Sequence, residues 1–168
     1  GNNWDYEFFQ RNQISKGLKG LSANDVVLVS DVDEIPNLKN KTFLKYDSAV
    51  FLQKMYYYKF NLQYKEGLKW NNKWPGTKSC KYKYFKKAQL VREFRNRNIQ
   101  WWRIDKKINR YIEEDGGWHF AYLMSPEKIK KKLQKFDHEI IHLLKDNYDK
   151  NSLIDLEKIK KRISNFKD

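Results

Sequence analysis

Cysteine is the scarcest reactive residue in the chain: 168 residues hold one, Cys80. A lone thiol excludes an internal disulfide and an internal cysteine-based metal site. Nothing around it marks it as a nucleophile, so it reads as a structural or incidental thiol. Long hydrophobic runs are also missing. None approaches the ~20 residues that span a bilayer, and Gly1-Asn2-Asn3-Trp4 has neither the basic start nor the apolar core of a signal peptide. The expectation is a cytoplasmic or membrane-peripheral protein. Seven glycines and three prolines gather into no low-complexity linker, and no repeat is visible, so a single domain is expected over 1–168. Acid is in short supply, with 21 Asp and Glu against 35 Lys and Arg, a formal charge of +14. That balance suits nucleic acid, an anionic membrane surface, or a phosphate-bearing small molecule. A coding bias toward lysine and asparagine would produce it too.

What is present starts with a core: 40% of residues are apolar and 16% aromatic, enough for one folded domain. The chain is organised around Asp25–Pro36, DVVLVSDVDEIP. Val26–Val29 is a short, mostly β-branched run, which predicts a strand buried on both faces, as in a parallel sheet. Asp31, Asp33 and Glu34 follow at once, and Pro36 stops regular pairing. Open α/β sheets bind ligands at the carboxyl ends of their strands. Asp31 and Asp33, two apart in extended chain, point to one side. Two carboxylates there repel unless a cation lies between them, and a hard divalent cation such as Mn²⁺ or Mg²⁺ carrying a diphosphate meets that need. Acids also end strands and begin turns for purely structural reasons.

Elsewhere the pattern is mixed. Residues 4–20 predict a helix with a Phe8, Ile14 and Leu18 stripe, closed by Gly20 as a left-handed cap. Arg11 within it is either a solvated helix residue or a fork for a phosphate or an acid. Residues 37–47 predict a short helix or loop. Ala49–Leu62 predicts a strand with Phe51, Gln53, Met55, Tyr57 and Lys59 on one face, and Glu66-Gly67 a turn. Trp70–Thr77 predicts a loop or strand edge with Pro75-Gly76 as its turn; Trp70 and Trp74 are either core plugs or platforms for sugar rings. Residues 78–110 carry twelve Lys or Arg against Glu93 and Asp105. Within them Lys81–Phe85 alternates like a strand with one wet face, and Arg92, Arg95, Arg97 and Arg103 are candidate phosphate ligands. A short strand or loop over Ile108–Ile112 leads to Glu113–His119, where two glycines beside three acids predict a tight turn. Ser125-Pro126-Glu127 opens a helix with Ile129, Leu133, Phe136, Ile140 and Leu144 on its packing face and Asn147 at its end. His138 and His142 fall on or near that helix and read as structural. Ser152–Phe166 predicts a second helix with Asp155 three residues past the cap.

Three segments together carry a resemblance. Ser30-Asp31-Val32-Asp33-Glu34-Ile35-Pro36 resembles the Asp-x-Asp-Glu-Ile-Pro signature of glycosyltransferase family 17. Asp115-Gly116-Gly117-Trp118-His119-Phe120-Ala121-Tyr122 is similar to that family's Asp-Ala-Gly-Trp-His-Phe-Ser-Tyr block, with Ala121 at the serine position. Phe9-Gln10-Arg11-Asn12 precedes both in the family's order. The likeness runs from about Trp4 to about Glu139.

The resemblance implies an α/β, A-type (Rossmann-like) nucleotide-diphospho-sugar transferase fold, of which this chain resembles the C-terminal portion, since the family carries a longer N-terminal part with the first strands. It implies a metal-dependent inverting enzyme moving N-acetylglucosamine from a UDP-N-acetylglucosamine-like donor to a glycan acceptor. On that expectation Asp33 ligates Mn²⁺ or Mg²⁺, Asp31 reaches the metal through water or touches the donor ribose, and His119 is a further ligand. Arg11, Asp31 and Asp33 hold the donor. Asp115, with Glu34 second, is the catalytic base. Trp74 and Trp118 hold the acceptor. The competing expectations are a basic nucleic-acid-binding module, although no specific nucleic-acid motif is found, and an inactive glycan-binding remnant.

Overall fold

The computed structural model describes residues 3–65, 72–93, 109–135 and 155–165. Trp70, the Glu66-Gly67 turn, Arg95, Arg97, Arg103, His138, His142, Ser152 and the helical stretch beyond Lys135 lie outside the described residues. The chain is a mixed α/β structure with both parallel and antiparallel strand pairs, and it divides into two compact units, Gly1–Lys54 with Glu66–His119, and Met55–Lys65 with Phe120–Asp168. No described helix is long and apolar enough to cross a membrane.

The elements are α1 (Asn3–Asn12), β1 (Val26–Val29), β2 (Glu34–Pro36), β3 (Ser48–Tyr57), β4 (Gln63–Tyr64), β5 (Trp74–Lys81), α2 (Ala88–Arg92), β6 (Arg110–Glu113), β7 (Gly117–Ala121), α3 (Pro126–Lys135) and α4 (Leu156–Asn165). The strands follow the order β1-β5-β3-β7-β2, with β4 and β6 pairing β3 off that path.

In the first unit the strand at 26–29 forms as expected, but its setting differs. β1 is antiparallel to β5, Val26 opposite Lys81 and Val29 opposite Lys78, and it ends the sheet path. Val27 and Val29 are buried with Cys80, Ala88 and Val91, while the half-buried Val26 and Leu28 pack toward Phe43, Ala49 and Phe51. An outer strand touched by core on both faces has the same apolar run as a central parallel one, which is why composition misjudged the neighbour.

Three further expectations change. The helix at 4–20 is α-helical only to Asn12 and then tightens into a 3-10 turn over Gln13–Leu18, with the Ser15 hydroxyl donating to the Asn12 carbonyl at 2.6 Å; Gly20 does adopt a positive φ of 84°. Pro75-Gly76 is no turn but lies inside β5. The ladder between β3 and β5 shifts register between Val50 and Leu52, where Pro75 stands opposite Leu52, and an irregular ladder tolerates a residue with no N–H. Lys81–Phe85 is not a strand either, because Tyr82–Tyr84 curl into a 3-10 turn whose amides bond back to the Asp25 and Ala23 carbonyls.

In the second unit β3 stops at Tyr57, short of the expected Leu62. Tyr58 takes a φ of 65°, and the Tyr57 amide donates to the Leu62 carbonyl at 3.0 Å, so the chain turns back into β4. Tyr57, Tyr58, Tyr64 and Tyr122 pack ring to ring. α3 and α4 bury Ile129, Leu133 and Ile159 together against Tyr58, Tyr122 and Met124, as the helical spacing predicted. The cap of α4 is Asp155, whose carboxylate accepts the Lys158 amide at 3.0 Å.

Candidate functional site

The acid motif and the Gly-Trp-His block, far apart in sequence, are hydrogen-bonded neighbours. β2 and β7 run antiparallel with Glu34 opposite His119, Ile35 opposite Trp118 and Pro36 opposite Gly117. Glycine at 117 has a physical reason. Its φ is 110°, and a Cβ there would collide with the Ile35 carbonyl and the Asn37 amide. Gly116 is equally constrained, since a Cβ would strike the β3 backbone at Phe51 and Leu52, and its own amide donates to the Leu52 carbonyl at 3.0 Å.

Asp31 and Asp33 do not share a side. The chain between β1 and β2 is a turn, closed by the Glu34 amide donating to the Asp31 carbonyl at 3.0 Å, with Val32 fully exposed at its apex. A turn breaks the two-residue alternation that extended chain would have kept. Asp33 therefore meets His119, with Oδ2 and Nε2 3.5 Å apart, while Asp31 goes to two arginines. Its Oδ2 accepts from Arg92 Nη2 at 2.7 Å, and its Oδ1 lies 3.5 Å from Arg11 Nη2. Arg11 also donates to Gln89 on α2.

Glu34 is the hub. Its side chain is 1% exposed, and both oxygens are engaged: Arg92 reaches each at 2.9 and 3.0 Å, the Trp74 indole N–H donates to Oε1 at 3.0 Å, and the Asp31 amide to Oε2 at 3.1 Å. A carboxylate so occupied organises its neighbours. Trp74 also lies against His119, ring centroids 5.1 Å apart, so it serves as an inner wall. His119 is buried, and its Nδ1 has no hydrogen-bond partner among the described residues.

Trp118 is not brought to this group. Strand alternation turns it to the opposite face of the β2–β7 ribbon, beside Ile35, where the two are 36% and 51% exposed. Asp115 sits on the exposed turn before Gly116, with its carboxylate accepting from Asn37 Nδ2 at 2.9 Å. Glu113 is buried and accepts from Asn40 Nδ2 at 2.8 Å. Sequence reasoning proposed Arg92 for phosphate and missed it as the partner of Asp31 and Glu34. Nothing in the basic block singles it out from its neighbours, since its partners are 58 and 61 residues away.

No protein-family model, curated protein or solved structure matches the chain.

Among the described residues, no three His, Cys, Asp or Glu side chains gather to hold a metal on protein donors alone. Cations that carry diphosphates take one or two protein donors and leave the remaining positions to phosphate and water. Asp33 and His119 fit that smaller set, an oxygen and an imidazole with an unpartnered ring nitrogen behind it. Asp31 does not fit as a direct ligand, because its carboxylate faces guanidinium groups.

Proposed function

We propose that the chain is a glycosyltransferase of the A-type, similar to family 17, or the catalytic C-terminal part of one, moving a sugar from a nucleotide-diphosphate donor to a glycan hydroxyl. One observation carries the reading most: the two segments that resemble the family's motifs are paired strand to strand, and Asp33 faces His119 across them. A bound Mn²⁺ or Mg²⁺ would be held by Asp33 and His119 and would supply positive charge to the departing diphosphate. Arg11, the less tightly held of the two arginines at Asp31, would add a guanidinium to that diphosphate. Asp115, exposed and lightly hydrogen-bonded, is the group available to accept a proton from an acceptor hydroxyl. Glu34 holds the site together instead of serving as base, and Trp74 walls His119.

Calorimetric titration with UDP-N-acetylglucosamine and with UDP, in Mn²⁺ and in chelator, tests this. The expected result is heat only with metal, lost in Asp33→Asn. Asp115→Asn should keep that heat while slowing hydrolysis of UDP-N-acetylglucosamine roughly 10²–10⁴-fold. Equal heats with metal and chelator would overturn the metal assignment, and unchanged hydrolysis in Asp115→Asn would remove Asp115 as the base.

A further inference from the structure

Arg92 ends α2 with a side chain only 12% exposed. Nη1 donates to Glu34 Oε2 at 2.9 Å and to the Gly76 carbonyl at 2.8 Å; Nη2 donates to Asp31 Oδ2 at 2.7 Å and to Glu34 Oε1 at 3.0 Å. Two terminal nitrogens carry four N–H groups, and all four are used. The guanidinium therefore has no terminal N–H left for a phosphate. What it does is join three parts of the unit: the acid turn, β5 through Gly76, and its own helix, whose last carbonyl accepts from Lys78.

We propose that Arg92 is the positioning residue of the site: by forking across Glu34 and Asp31 it fixes the Asp31–Glu34 turn, and so aims Asp33 at His119. The turn is anchored at the Asp31 carboxylate, the Asp31 amide and the Glu34 carboxylate, and the first and last of these end on Arg92. Asp33 lies between these anchors, with its Oδ2 3.5 Å from His119 Nε2. His119 is held by the β2–β7 register and the Trp74 ring. A lysine at 92 would supply charge but no fork, and could bridge the two carboxylates only loosely.

The proposal rests on Asp33 and His119 as the metal-holding pair, and its test separates the two ideas. Mn²⁺ is titrated into the full chain in the presence of UDP, followed by electron paramagnetic resonance, for wild type, Arg92→Lys, Arg92→Met and the control Lys86→Gln on the exposed stretch before α2. Lys86→Gln is expected to keep wild-type affinity within twofold. Arg92→Lys is expected to keep the far-ultraviolet spectrum and lose at least tenfold in Mn²⁺ affinity. Arg92→Met leaves Glu34 without its counter-charge; adding Glu34→Gln is expected to restore the melting temperature but not the affinity, which separates folding from aiming. A folded Arg92→Lys that binds Mn²⁺ within twofold of wild type overturns the proposal. If wild type binds no Mn²⁺ even with UDP present, the metal reading fails, and amide exchange decides the clamp. The Asp31 amide should then exchange at least tenfold faster in Arg92→Lys than in wild type, with β1 amides unchanged. Equal rates overturn it.

Discussion

Glu34 and Cys80 show how little a residue's type says about its work. Glu34 stands among three acids, yet it is the one that is sealed in. Glu34→Ala would leave Arg92 with Asp31 as its only carboxylate partner and the Trp74 N–H without its acceptor. Breaking a buried, hydrogen-bonded pair costs about 3–5 kcal/mol, and urea unfolding of the variant should show a loss of that order. Cys80 is the opposite case, a reactive type in an inert place. It packs with Val27, Val29, Ala88 and Val91, and burial pushes its thiol up to about 11. A native chain at pH 8 should resist iodoacetamide and react once unfolded. The sign of the linkage follows. The folded state holds the proton more tightly than the unfolded one, so the stabilising contribution is complete below about pH 9 and is lost as pH rises toward about 11. The lone thiol, legible as structural or incidental, is buried in the core; the sealing of Glu34 was not legible, because it depends on Arg92 and Trp74, residues distant in sequence.

Glycines and tyrosines make the matching points among the elements. Gly117 meets the Ile35 carbonyl and the Asn37 amide in a left-handed conformation, whereas Gly17 has open space around it and no positive φ. Gly117→Ala should cost about 2–4 kcal/mol through strain and collision, and should separate β2 from β7. Gly17→Ala should be neutral or gain a few tenths of a kcal/mol. Thermal melting of the pair distinguishes a glycine needed for its site from one that is not. In the second unit, burial first and the neighbouring tyrosines second push Tyr57 up to about 12. Absorbance titration near 295 nm should find a phenol still protonated at pH 11. Its contribution to stability should be whole below about pH 10 and should fade as pH climbs toward about 12. The apolar run of β1, the Ser125-Pro126 helix start and the glycine pair were all legible, because each is a local preference written in adjacent residues. The antiparallel neighbour of β1, the strand through Pro75-Gly76 and the early end of β3 at Tyr58 were not. Each is decided by a partner distant in sequence or by a backbone angle that no residue type demands.

Across the whole molecule, a charge of +14 separates two kinds of attraction. Generic binding to a polyanion releases counterions and falls steeply with salt, whereas a donor held by fixed groups in a half-buried site is screened much less. Raising NaCl from about 0.05 to about 0.5 M should weaken heparin binding by at least about 100-fold, while UDP-N-acetylglucosamine heat with Mn²⁺ should fall only a few-fold. Parallel collapse of both would mean that the nucleotide is drawn by bulk charge, and would favour the nucleic-acid alternative.

β2 closes the strand path and is three residues long, ending on Pro36. Its outward residue Ile35 and the cross-strand Trp118 make an apolar pair at the sheet's rim. A rim of that kind invites edge-to-edge association with another molecule, and brevity, neighbouring acids and a residue without an N–H are the usual defences against it. Pro36 supplies the last of these at the end of β2. Pro36→Val should leave the monomer's fold intact at low concentration yet raise light scattering as concentration increases, and Ile35→Lys in the same chain should abolish that rise.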